Sequence, residues 1–440
     1  MDNFTDIIQD NGIVGAGGAG FPTHVKLNTK ADTVIVNGAE CEPLLRVDQQ
    51  LMAVRAKDLL EGLSMIMEQV SAKEGVIALK KHYAEADAAI SGLLDKYKNI
   101  RIFHLGEFYP AGDEQVLVYE VTGRIVPEGG IPIAVGAVVD NVETVLNIYD
   151  AVKGGKPVTD SYVTLTGCVK QKKTVKVPIG ITVKEALALA GGPTVDDYAV
   201  INGGPMMGRI VRDNDLITKT TKGLIVLPAD HSLIVSLTKP LDNMMKLARS
   251  ACMHCSLCTE VCPRNLLGHR IEPNKMIRFA SYQSFCDSSI TPMNAYLCCG
   301  CRLCEYACVM DLQPWKLHNA FKSQMGAAGI KNELHDQPEH ANPFREYRRY
   351  PVKKLIARLG ITAYDEPAPL EECRKNFGKV TILLKQHVGA PASPVVNAGD
   401  TVKKGDVVAR MNEGQLGASY HASISGKVVS TDNGQIVIEK

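Results

Sequence analysis

Between residues 30 and 152 the chain alternates two kinds of apolar pattern. "TVIVNG" (33–38), "GVIALK" (75–80) and "IRIFHLG" (100–106) are short runs that predict strands. "DQQLMAVRAKDLLEGLSMIMEQV" (48–70) and "AEADAAISGLLDKY" (84–97) carry the longer amphipathic pattern of helices. "EQVLVYEVTG" (114–123) predicts another helix, and "IPIAVGAVVDNVETVLNIYDAV" (131–152) a strand running into a helix. Strands separated by helices imply a parallel α/β sheet.

The pattern changes at "GGKPVTD" (154–160), a loop and a domain boundary. Two strand-like runs, the helix "TVKEALALAGG" (182–192) and further strands follow, an α+β order of β-grasp type. Within it, "INGGPMMG" reads as a turn. From 242 to about 325 the chain is short helices threaded by cysteines. Charge and proline then mark a linker or wrapping segment, and the tail is a series of short β-runs. The prediction is a multidomain α/β protein. Its parts are an α/β domain (1–155), a β-grasp domain (156–241), a helical cysteine domain (242–325), a linker (326–372) and a small all-β domain (373–440).

Composition narrows the function. A net charge of +1, with no long basic run, does not suggest nucleic acid or an anionic membrane as partner. Aromatic residues at 5% are too few for a platform that stacks single strands. No stretch reaches the roughly 18 apolar residues of a membrane span. "MDNFTDIIQD" has acids where a secretion signal needs a basic region, so a cytoplasmic protein with no direct membrane span is expected. Thirteen cysteines in that compartment argue for metal rather than disulfides.

Eight of these form two arrays, Cys252, Cys255, Cys258, Cys262 and Cys298, Cys301, Cys304, Cys308. Both have the spacing C-x2-C-x2-C-x3-C. Three cysteines in a tight turn suit three irons of a cubane, and the fourth ligates the other cluster. The expected sets are therefore Cys252, Cys255, Cys258 with Cys308, and Cys298, Cys301, Cys304 with Cys262. Zinc sites usually split their ligands into two C-x2-C pairs, which fits these runs far less well than two 4Fe–4S clusters. Cys299 is a spare beside the second array. Cys41, Cys168, Cys286 and Cys373 read as buried small apolar residues.

"GAGGAGFPTHVKL" (15–27) contains G-x-G-x-x-G at Gly15, Gly17 and Gly20. A Rossmann turn needs a strand before it and a helix after it. Here a short amphipathic helix, "FTDIIQDNGIV", precedes the loop, Pro22 follows it, and the strand comes later. The fingerprint is matched in letters only. The glycines still imply close backbone approach or positive φ.

This loop, "NGAECEP" (37–43), "YPAGDEQ" (109–115) and "DNVET" (140–144) occur in an order that resembles the flavin- and NADH-binding subunit of respiratory complex I. They resemble the RnfC component of the Rnf complex more closely. The resemblance implies that the glycine loop holds FMN and that NADH stacks on the flavin. Gly15, Gly17, Gly18 and Lys26 would line the phosphate and ring. Asn37, Glu40 and Glu42 would lie at the flavin edge or ribityl chain, and Asn141 and Thr144 at the phosphate. Phe21 and Glu114 would face the nicotinamide nucleotide. The acidic pair after a glycine in the complex I motif is here Asp113-Glu114. The β-grasp module resembles the SLBB domain of the same family.

The tail, "VNAGDTVKKGDVVARM" onward, resembles a barrel-sandwich hybrid of lipoyl type, yet has no modifiable hairpin lysine between Arg410 and Ser423. In the Rnf component this module lies at the N-terminus. Its C-terminal position resembles the cobalamin reductases of propanediol-utilisation microcompartments. That resemblance implies NADH-driven electron transfer through FMN and two 4Fe–4S clusters to a corrinoid, which would feed an adenosyltransferase. It also implies microcompartment shell or enzyme partners. The alternative is an Rnf-like peripheral subunit of a membrane NADH:ferredoxin complex.

Overall fold

The computed structural model describes residues 4–282 and 290–440. Helix α1 (Phe4–Asp10) buries Phe4 and Ile8, which share a face four residues apart. Strands β1 (Thr33–Gly38), β2 (Glu74–Lys80), β3 (Ile100–Leu105) and β4 (Ala137–Asn141) form a sheet in the order β3-β2-β1-β4, with every neighbouring pair parallel. Alternate residues of β1 point to opposite faces. Val34 and Val36 join the core of α3 (Ala56–Gln69) and α5 (Val142–Gly154), while Ile35 joins that of α4 (Glu114–Thr122). Burial on both faces explains why β1 reads as one apolar run.

The helix expected over 48–70 is two, α2 (Val47–Val54) and α3. The chain leaves helical geometry at Arg55 (φ −126°, ψ 31°), whose guanidinium reaches Asp58 and Asp150, each at 2.8 Å. The helix expected over 84–97 stops at Ser91, ahead of Gly92, and only a short 3-10 turn follows at Leu94–Lys96.

The second sheet has six strands. Its order is Leu370–Glu371, Lys173–Pro178, Asp160–Gly167, Gly223–Pro228, Tyr198–Asn202, Arg209–Val211. The first of these comes from the 326–372 segment, which also pairs Tyr350–Pro351 with Phe108–Tyr109. That segment therefore wraps rather than merely links. Helices Leu241–Ala251, Pro273–Tyr282 and Pro314–Ala327 pack through Met244, Ala248, Met276, Ile277 and Leu317. The tail forms a four-stranded and a three-stranded sheet. No helix among the described residues is long and apolar enough to cross a membrane.

Candidate functional site

The glycine loop is closed by its ends. Val14 bridges Pro22, and the Gly15 amide donates to the Phe21 carbonyl at 2.9 Å. This is no strand–turn–helix unit. The loop rests on the N-terminus of α5. Asn141 caps that helix by accepting from the Glu143 amide at 3.0 Å, and Thr144 Oγ1 accepts from the Ala16 amide at 2.9 Å. A Cβ on Gly17 would lie 3.3 Å from Asn141 Cβ, so any side chain there would crowd the cap of α5. Gly18 has φ +127° and would meet nothing within 4 Å, so the outer side of the loop is open.

Asn37 and Asn141 are paired neighbours at the carboxyl ends of β1 and β4. Parallel sheets bind ligands just outside that edge. Asn37 Nδ2 donates to the Gly112 carbonyl at 2.9 Å, which joins the "NGAECEP" and "YPAGDEQ" segments. Lys26 joins the remaining two. Its Nζ donates to the Val139 carbonyl at 2.7 Å and lies 3.3 Å from Asp140 and 3.6 Å from Glu114. Burial pulls the Lys26 pKa down, but the two acids more than offset this and the net direction is up. Phe21 is half-buried.

Glu40 and Glu42, expected at the flavin edge, also have protein partners. Glu40 accepts from the Asp48 and Gln49 amides at 2.9 and 3.2 Å and so caps the start of α2. Glu42 accepts from the Met206 and Met207 amides and from the Tyr109 hydroxyl, at 2.9–3.2 Å. Burial pushes the Glu42 carboxyl up to about 7. The loop read as a simple turn at 203–208 is therefore a junction. It also accepts from Arg302 at its Pro205 and Met206 carbonyls.

Several site neighbours escaped the sequence reading. Asp140 Oδ2 is buried without a hydrogen-bond partner at the base of the loop, although "DNVET" contains it. Lys222, from the second sheet domain, pairs with Asp48 at 3.4 Å and with Glu143. Asn141 Nδ2 donates to the other oxygen of Asp48 at 2.7 Å. No local pattern announces these pairs, because their partners are distant in sequence.

The cysteines gather into two cavities. Cys252, Cys255, Cys258 and Cys308 line one. Cys262, Cys298, Cys301 and Cys304, with Cys299, line another. Each cavity thus draws one cysteine from the other array. Burial and then the neighbouring thiols push Cys258 and Cys298 up to about 12. Crowded thiols of this kind become thiolates only against positive charge, which is the chemistry of a metal cluster. Cys41, Cys168 and Cys373 are partly rather than fully buried. Cys286 lies outside the described residues.

The second cavity abuts the motif ring. Asp113 caps α4, and its Oδ2 takes Arg264, two residues beyond Cys262, at 2.8 Å. Tyr109, Leu44, Cys41, Cys299 and Cys301 share one core. The first cavity borders the exposed Met253 and Val309.

The models of four domain families match in chain order. They are the Nuo51 FMN-binding domain (8–150), the SLBB domain (162–210), the 4Fe-4S dicluster domain (251–313) and the RnfC barrel sandwich hybrid domain (365–439). Cobalamin reductase PduS of Citrobacter freundii is 44% identical over 423 residues, covering 96% of this chain and 93% of that protein. The chain belongs to the PduS family. The Salmonella typhimurium PduS is 42% identical over 440 residues, covering 99% and 96% of the two chains. A component of the Na+-translocating ferredoxin:NAD+ oxidoreductase complex of Acetobacterium woodii is 34% identical over 271 residues, 60% of this chain and 58% of that one. The PduS likeness spans the whole domain order, whereas this Rnf-type likeness stops at about three fifths of the chain. The fold is accordingly an FMN domain, an SLBB domain, a dicluster domain and a barrel-sandwich hybrid.

Proposed function

We propose that this PduS-family chain is an NADH-dependent cobalamin reductase. It moves electrons from NADH through FMN and two 4Fe–4S clusters to a corrinoid, driving cob(III)alamin toward cob(I)alamin. The observation that carries this reading is a juxtaposition. Four motif segments converge on an open glycine loop, and Asp113–Arg264 ties that ring to a four-thiol cavity.

The residues fit FMN. Open space at Gly18 beside the start of α5 leaves room for a phosphate at a helix N-terminus, and the unpartnered Asp140 oxygen would accept from an N–H of a polar ring. When bound, FMN accepts the electron pair of a hydride and the clusters carry single electrons onward. Gly15, Gly17, Gly18, Asn141 and Thr144 hold the phosphate end in this reading. Lys26, kept charged by Asp140 and Glu114, stabilises negative charge at the ring. Asn37 orders the edge, while Glu40 and Glu42 position the backbone around it. Phe21 and Glu114 face the nicotinamide. The thiols of Cys252, Cys255, Cys258 and Cys308 hold one cluster, and those of Cys262, Cys298, Cys301 and Cys304 hold the other.

We infer two finer statements from the resemblance to propanediol-utilisation cobalamin reductases. The reduced corrinoid passes to an adenosyltransferase, and the protein works in the cytoplasm within a bacterial microcompartment.

Anaerobic reconstitution tests the reading. Bound FMN and iron are measured, then NADH oxidation with hydroxocobalamin as acceptor. NADH-dependent corrinoid reduction is expected, and its absence in a chain fully loaded with flavin and iron refutes the proposal. C255A should lose one cluster and keep its flavin. Unchanged iron content in that variant refutes the ligand set.

A further inference from the structure

One polar side chain at the second thiol cavity has no use elsewhere in the fold. His318 lines the wall of that cavity, on the helix Pro314–Ala327. It is 1% exposed, and neither ring nitrogen has a hydrogen-bond partner among the described residues. An imidazole carries at least one N–H in either tautomer and either charge state. Native interiors seldom leave such a donor unpaired, so a group beyond the protein atoms is called for.

The other polar residues of this wall are spent. Trp315 Nε1 donates to Glu305 Oε2 at 2.6 Å. Arg302 donates to Glu305, Tyr306 and the Pro205 and Met206 carbonyls. The first cavity has a histidine too, but His254 is exposed and its Nδ1 already lies 3.8 Å from Cys252 Sγ, and the side chain of Asn274 there is engaged by Ser256 and Thr259.

We propose that His318 donates a hydrogen bond to a sulfur of the cluster held by Cys262, Cys298, Cys301 and Cys304, and so raises that cluster's reduction potential. This rests on the ligand sets given above. A cluster grows more negative on reduction, and an N–H donor stabilises the more negative state more strongly. His318 is thus a positioning and tuning residue, not a ligand.

The test uses the reconstituted full chain, with iron and sulfide analysis and a redox titration followed by electron paramagnetic resonance. C258A and C304A assign each signal to its cavity. H318L should keep the wild-type iron content. It should lower the midpoint of the signal that C304A removes by about tenfold in the reduction equilibrium, which is 59 mV for one electron. H318Q, which can still donate, should shift it less. Full iron with both midpoints unchanged in H318L overturns the proposal. So does a shift confined to the signal that C258A removes, with the ligand sets left standing. Unchanged iron in C304A overturns the ligand sets and the proposal together. Loss of iron in H318L and H318Q alike makes His318 a packing residue and overturns the proposal alone.

Discussion

Lys219 is a buried cation with no carboxylate against it among the described residues. Its Nζ donates to the Gly12 carbonyl at 2.6 Å and the Ser419 carbonyl at 2.7 Å, and lies 4.5 Å from the centre of the Tyr420 ring. It therefore ties the segment before the glycine loop to the tail module. Burial pulls it down from 10.5 to about 7. An unfolded lysine holds its proton to about pH 10.5, while this one releases it near neutrality. Between those values the unfolded chain binds more protons, so stability rises with pH and is lost as pH falls toward 7. Each pH unit in this window is worth up to about 1.4 kcal/mol. From pH 7 to 9 the gain is about 2 kcal/mol, since the first unit is only partly realised. Over pH 7 to 9 the neighbouring His387 and His421, lowered by burial, and Tyr420, raised by it, add little slope.

K219M keeps an unbranched side chain and removes the proton. Urea midpoints of wild type and K219M at pH 7, 8 and 9 isolate the linkage. The stability of wild type relative to K219M should rise by about 2 kcal/mol over that range. Parallel pH profiles for the two proteins would refute the reasoning.

Three further outcomes are expected. R264L strands the largely buried Asp113 and should cost about 3–5 kcal/mol, with partial recovery in R264L/D113N, read from thermal midpoints. G18A puts a Cβ on a residue at φ +127°, at a cost of about 1–3 kcal/mol in the loop, and should weaken FMN binding measured by flavin fluorescence. Glu42 titrates at about 7 when folded against 4.5 unfolded, so its contribution is complete below pH 4.5 and disappears as pH rises through 7. Thermal midpoints of E42Q should lack that component of the pH profile.

What was legible in the sequence was what local spacing encodes. The sheet strands show as apolar runs because both faces are covered. The cysteine arrays show because each cluster-forming turn is continuous in sequence. The break at Arg55 did not show, because its guanidinium answers to Asp150, 95 residues away. Glu42 sits in a recognisable motif, yet its partners are amides more than 160 residues distant. His318 has no motif at all. Only the folded helix brings it to the cavity, and only its unsatisfied nitrogens mark it.

The tail module is held against the glycine loop by specific contacts. Its Val388 amide donates to the Gly20 carbonyl at 3.1 Å, and its Arg410 pairs with Asp10 at 3.1 Å. Gly20 has φ +67°, and a Cβ there would approach His387 Cα and Thr220 Cγ2 at 3.1 Å. Any side chain at that position would be strained and would also push the module away from the loop. The Gln386 side chain continues the contact by accepting from the Lys219 amide at 2.9 Å. The docking face, rather than the connecting peptide, thus fixes where the module sits. Its contacts fall both on residues 10 to 20, at the start of the first domain, and on the second sheet domain, where Lys404 pairs with Asp160 at 2.8 Å and the Thr381 amide donates to the Gly180 carbonyl at 2.9 Å. Its contribution to this chain is then to brace the glycine loop, a role that needs no modifiable lysine.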